Sequence, residues 1–318
     1  MNAYPLHALG MSAFLFAASA VPSQAALLVY EGFNYTTGST LNTITPNAST
    51  VGLNKTTAYA GNGVANYTVQ SGLAFGPLTT SGGSISATGP TAVGAAKLSL
   101  NSYVGTLWSS YLVNFSSFSS VDRGDGALSR VSNDTSNNGE RFNSYADSRT
   151  PSGSPTSNLG ISYNAASNIT VGSTGLELNT TYILISRFTN VGSSIPAGTG
   201  TGTLYALTLS QFNSFLSAGG TESYLDSATI GTGASNVTGR VSNTNNNNTP
   251  TTYWFQSTNY AQFVNVNDSV TFDELRYGST LTDVVPVPEP QTLGLAALGM
   301  AVAFLSLRKN RVPTRAAV

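Results

Sequence analysis

Only 8% of the 318 residues are charged and the net charge is −1, so the chain offers no basic face for nucleic acid or an anionic lipid surface. It contains no cysteine, which excludes a disulfide framework and leaves stability to an ordinary core. The length suits one large domain or two small ones.

From Ala8 to Val21 the chain is almost wholly apolar or small, and Ser23-Gln24-Ala25 precedes Ala26 with small residues where a signal peptidase reads. Residues 1–25 are therefore expected to be a signal peptide. The stretch before Ala8 lacks Lys and Arg, so it is either a weak leader or one shortened by a misplaced start. Cleavage near Ala25 removes His7, the sole histidine. A Ser-His-Asp or Cys-His nucleophile system then has no residues to use, and a zinc site lacks its usual ligands.

The region after Ala26 reads as many short strands. Leu107, Ser109, Tyr111, Val113 and Phe115 alternate with Trp108, Ser110, Leu112 and Asn114. Similar runs occupy 181–189, 202–209, 261–267 and 269–277, rich in β-branched and aromatic residues. Gly61-Asn62-Gly63, Ser81-Gly82-Gly83, Pro151-Ser152-Gly153, Ala218-Gly219-Gly220 and the Asn-rich stretch 242–249 supply turns. Leu209 to Leu216 is the one candidate for a short helical turn outside the two membrane-directed segments. The expected class is all-β, an antiparallel sandwich, with no fixed-period repeat to suggest a propeller or β-helix.

Charge concentrates between Val121 and Arg149. Asp122-Arg123-Gly124-Asp125-Gly126 can offer two carboxylates and backbone carbonyls to Ca²⁺, although the spacing is not that of an EF-hand loop. Asp122 and Asp125 are thus either calcium ligands or part of a solvated ion-pair surface. A glycosidase needs two carboxylates flanking one bond, and no Glu-x-Asp-x-x-Glu triplet occurs. Asp273 and Glu274 are neighbours, so on a regular strand they point to opposite faces; pairing of one of them with Arg276 at the sandwich edge is the expectation. Among aromatic residues, Trp108 in its alternating strand reads as core. Tyr253 and Trp254, following the Asn-rich stretch, are the candidates to stack on a sugar ring.

The C-terminus closes with Val287-Pro288-Glu289-Pro290, an apolar run from Thr292 to Leu307, and Arg308-Lys309-Asn310-Arg311. As a helix the run covers about 24 Å, short of the roughly 30 Å hydrocarbon core, so it spans only with thinning or with snorkelling by Arg308, Lys309 and Arg311. The basic flank orients that end to the cytoplasm and leaves the body outside. Pro288 and Pro290 keep the motif extended and accessible to a protease. The order of motif, hydrophobe and basic tail resembles the PEP-CTERM sorting signal of Gram-negative bacteria. That resemblance implies an exosortase as partner, an inner-membrane hold before processing, and release to the envelope or extracellular matrix.

A second resemblance joins Leu27-Leu28-Val29-Tyr30-Glu31-Gly32-Phe33-Asn34-Tyr35, Gly105-Thr106-Leu107-Trp108-Ser109-Ser110-Tyr111, Asn138-Gly139-Glu140-Arg141-Phe142 and Thr271-Phe272-Asp273-Glu274-Leu275-Arg276-Tyr277-Gly278. Together they look like the LamG-like, concanavalin A-type jelly rolls of PEP-CTERM proteins, which implies that the first and last strands pair. The resulting division is a signal peptide over 1–25, a LamG-like β-sandwich over 26–280, a linker over 281–286, and a sorting signal over 287–311. In that signal a single membrane helix covers 292–307 and a basic tail 308–311. Two functions fit: a non-catalytic adhesive, structural or glycan-binding module associated with exopolysaccharide, or a secreted glycoside hydrolase or lyase built on carboxylates such as Glu140, Glu177 or Glu222. The sugar link in both comes from the resemblance.

Overall fold

The computed structural model describes residues 27–53, 55–56, 58–59, 64–76, 78, 80, 82–88, 92–97, 105–117, 127–132, 140–147, 157–163, 169–191, 199–244, 254–259 and 269–285. The expected signal peptide, the run 261–267, residues 122–125, Tyr253 and the whole sorting signal lie outside these. Among the described residues no helix is long and apolar enough to cross a membrane.

Two antiparallel sheets carry the fold. The larger runs β12 (Gly239–Thr244), β11 (Thr201–Thr208), β10 (Thr181–Val191), β5 (Gly105–Ser117), β14 (Ser269–Gly278), β3 (Gly83–Thr88) and β2 (Tyr67–Ser71), with β1 (Leu27–Glu31) also paired to β14. The smaller runs β4 (Ala92–Lys97), β13 (Trp254–Asn259), β6 (Ala127–Ser132), β7 (Glu140–Asp147), β8 (Ser157–Tyr163) and β9 (Ile169–Leu176). The sheets pack face to face. Tyr163 of β8 meets Phe188 of β10 edge-on at 5.8 Å between ring centroids, and the Tyr111 hydroxyl on β5 lies 2.9 Å from the Ser144 hydroxyl on β7. This is the all-β antiparallel sandwich expected from alternation, and the implied pairing of the first and last strands is present as β1 with β14.

Alternation assigns the faces of the central strands, and both faces are buried. On β5, Leu107, Tyr111, Val113 and Phe115 enter the core between the sheets, while Trp108 and Leu112 enter a second core on the opposite face. On β10, Tyr182, Leu184 and Phe188 face inward, and Ile183 and Ile185 outward. A sheet buried on both sides needs a cover. It comes from α1 (Leu209–Ser217), α2 (Glu222–Ser227) and α3 (Leu281–Val284).

Helix α1 grows from the suspected turn at Leu209 for local reasons. The Thr208 hydroxyl accepts from the Gln211 backbone and the Gln211 side chain accepts from the Thr208 backbone, a reciprocal capping box. Phe212 and Phe215, three apart, share one face and bury fully against the sheet. The helix stops where Gly219 and Gly220 take φ of +93° and +62° and return their N–H groups to Leu216 and Phe215. Helix α3 takes up four of the six residues read as a linker and buries Leu281 and Val284 in the same outer core.

Candidate functional site

The sheet has an irregular point where its first and last strands meet. On one side of β14, residues 269–272 pair with β3 and residues 275–278 pair with β1, so the neighbouring strand changes at Asp273 and Glu274. On the other side the register with β5 slips by one residue between Asp273 and Arg276, and Glu274 adopts φ of +53°. A bulge with a residue in the left-handed region breaks the period-two alternation. Phe272 and Leu275, three apart, both enter the core between the sheets with Asp273 and Glu274 buried between them, which corrects the expectation of regular alternation at a sandwich edge. β14 is an interior strand.

Polar side chains fill the gap that the strand change opens. The Asp273 carboxylate accepts from the backbone N–H of Leu73 at 2.9 Å and of Glu274 at 2.7 Å. Glu274 takes the Tyr30 hydroxyl at 3.1 Å and the Arg276 guanidinium at 2.8 Å, so the expected pairing with Arg276 is present in the strand interior. Arg276 also stacks 4.8 Å over the Tyr30 ring, a cation–π contact. Glu31, at the end of β1, accepts from the Phe33 backbone at 2.7 Å and from the hydroxyls of Tyr35 at 2.6 Å and Tyr59 at 2.8 Å. Burial is the largest influence on Glu31 and raises its pKa, while these three donors pull it back. Burial likewise pushes Asp273 up to about 7, helped by the Glu274 and Glu31 carboxylates and opposed by its two amide partners.

Gly32 packs tightly against the tip of the Tyr30 side chain. A Cβ there would fall 2.6 Å from the Tyr30 hydroxyl oxygen, and one at Gly82 would fall 2.2 Å from the Gly32 carbonyl oxygen. The Glu31-Gly32-Phe33-Asn34-Tyr35 motif is thus a turn built around a buried carboxylate, with Phe33 at φ of +48°. Tyr35 emerges from that turn, packs against the core, and lines an open cleft of about 610 Å³.

A second polar group lies over the outer face of the sheet. Arg187 on β10 reaches both oxygens of Asp226, at 3.1 and 3.3 Å, and pairs with Glu222, while its guanidinium lies 5.6 Å over the Trp108 ring. Asp226 also accepts from Tyr205. Arg240 donates to the carbonyls of Leu225 and Ala228, at 3.2 Å each, where α2 ends. Two arginines thus dock α2 on the sheet. Glu222 is engaged in this docking, and Glu177 lies exposed just past β9, its backbone N–H donating to the Tyr182 hydroxyl at 3.1 Å. The described structure gives these two carboxylates different neighbours, and the Glu140 side chain lies outside it.

Trp108 is core, as its alternation indicated. Trp254 starts β13, paired with Lys97 of β4 and Ser132 of β6, and nothing is described of its side chain. Sequence reasoning missed Glu31, Tyr35 and Tyr59 as one cluster. The opening motif marks the first two, but no local signal connects Tyr59 to them. Among the described residues no group of three acidic or histidine side chains is arranged to hold a metal.

Solved structures similar to the chain include an endo-β-1,4-glucuronan lyase from the fungus Trichoderma reesei, at 9% identity over 81% of this chain and 98% of that one, TM-score 0.41. Others are an alginate lyase from Aplysia kurodai, at 10% identity over 80% and 99%, TM-score 0.43, and peanut lectin, at 12% over 77% and 98%, TM-score 0.37. Among curated proteins none matches the chain in sequence. Residues 286–311 match the PEP-CTERM protein-sorting motif, covering the Val287–Pro290 signature, the apolar run and the basic end, so the chain is an exported surface protein carrying a PEP-CTERM sorting signal.

Proposed function

We infer that the protein is a non-catalytic adhesive or glycan-binding module that an exosortase releases into an exopolysaccharide-rich envelope or matrix. The sorting motif at 286–311 is the observation that carries this reading. The engagement of Glu31, Asp273, Glu274, Asp226 and Glu222 in holding strands and a helix together supports the non-catalytic part.

Sorting is tested by replacing Pro288 and Pro290 with Ala. The double variant should still be exported, and its full-length form should accumulate in the inner membranes of an exosortase-bearing host. Equal retention with and without the prolines would reduce the tail to an anchor. The body is tested on a glycan array and by incubation with the polysaccharides it retains. Binding without cleavage is expected, whereas release of oligosaccharides would replace this reading with the glycan-active enzyme.

A further inference from the structure

The cleft beside Tyr35 has a lining with a distinct chemical character. It is bounded by Asn34, Tyr35, Thr36, Ser39, Thr43 and Thr45, with the largely buried Ile44 completing it, and among the described residues no carboxylate, ammonium or guanidinium lines it. Hydroxyls and one amide around an aromatic ring match a ligand that is itself polyhydroxylated, uncharged and apolar on one face. Asn34, Thr36 and Thr45 are exposed, and among the described residues their side chains make no hydrogen bond within the protein. Thr43 donates its hydroxyl to the Thr40 carbonyl at 2.7 Å and keeps its acceptor lone pairs.

The walls are held before any ligand arrives. The Tyr35 hydroxyl is fixed on Glu31, and the Asn47 amide holds the Asn34 carbonyl at 2.8 Å. Gly38 and Ser39 exchange backbone hydrogen bonds of 2.9 Å with Val69 on β2, and Tyr59 donates its N–H to the Ile44 carbonyl at 3.0 Å. A pre-ordered wall lowers the entropy lost on binding. Charge also selects. A polyuronate requires cationic partners, which the lining lacks among the described residues, and would meet the Glu31 carboxylate behind Tyr35.

We propose that this cleft is a binding site for a segment of neutral polysaccharide, with a sugar ring against Tyr35 and its hydroxyls met by Asn34, Thr36, Thr43 and Thr45. The proposal rests on the glycan-binding reading above and names its site and ligand class. A volume of about 610 Å³ lies within the ordinary range for organic ligands, and the cleft is open, as a passing polymer requires.

The test is native affinity electrophoresis of the full-length protein in mild detergent, through gels containing dextran, laminarin or galactomannan as neutral probes and alginate as the acidic one. Thr36→Trp and Thr45→Trp each place a bulky ring in the cleft from an exposed position, and unchanged melting temperatures confirm that they fold. The wild type should be retarded by at least one neutral polymer and not by alginate, with at least tenfold weaker apparent affinity in both variants. Neutral-polymer retardation unchanged in both variants would overturn the site and leave the glycan-binding reading standing. Retardation by alginate in preference to the neutral polymers would overturn the ligand class. No retardation by any probe overturns the site as a neutral-glycan site; a glycan array without a hit would remove the broader reading as well.

Discussion

Glu31→Ala is expected to lower the melting temperature by roughly 10 °C. The substitution leaves the Phe33 N–H and the Tyr35 and Tyr59 hydroxyls without the acceptor they share at 2.6–2.8 Å. Orphaned buried donors cost about 1–3 kcal/mol each, and partial rescue by water at half-buried Tyr35 brings the total to about 3–5 kcal/mol. In a domain of this size each kcal/mol shifts the midpoint by about 2–4 °C. Glu31→Gln keeps the volume and one acceptor oxygen, so its loss should be smaller, and Tyr59→Phe should cost about 1 kcal/mol. Calorimetry of the three variants decides the matter. A shift below 2 °C for Glu31→Ala would mean that the carboxylate does not hold the opening turn.

Stability should fall as pH rises from about 4 to about 7. Asp273 has an ordinary pKa of about 3.9 when the chain is unfolded, and in the folded protein burial pushes it up to about 7. Between those values the native state binds more protons than the unfolded state, so each increment of pH favours unfolding. The contribution is present in full below the unfolded value and is lost as pH passes the folded one. Its upper bound is about 4 kcal/mol, and relaxation around an ionised Asp273 makes about 2 kcal/mol the working figure. Glu31 is raised in the same direction and adds to the slope. Urea unfolding of wild type and Asp273→Asn at pH 4 and pH 8 isolates Asp273, because acidic groups common to both proteins cancel. The stability difference between the two should change by about 2 kcal/mol in favour of the variant at the higher pH. A difference independent of pH would show that Asp273 titrates near its ordinary range.

The two predictions share an origin, because Glu31 and Asp273 both stand where β1 and β14 close the larger sheet. That closure lies immediately before the sorting signal. Of the last described residues, Leu281, Val284 and Val285 are buried against the sheet.

Much of this was legible in the sequence by itself. Alternation on 107–115 and 181–189 determined strands and their faces, and on 269–277 the strand alone, because a side-chain period of two is a local property of extended backbone. The sorting signal was equally local, being a motif, a hydrophobe and a basic flank in fixed order. The opening and closing motifs were readable as partners only through resemblance. Their reason appeared in the tertiary structure: Tyr30 and Glu274 meet across 244 positions of sequence. The broken alternation at Asp273 and Glu274 was not readable, since strand periodicity predicts opposite faces and the bulge lies where the neighbouring strand changes from β3 to β1. Tyr59 joined Glu31 for the same kind of reason, because a hydrogen bond between residues 28 apart follows from chain path and leaves no pattern in composition or spacing. The helical cover over Trp108, Ile185 and Tyr205 was likewise decided in three dimensions: a strand buried on both faces and a strand buried on one can share the same short apolar run, and packing alone separates them.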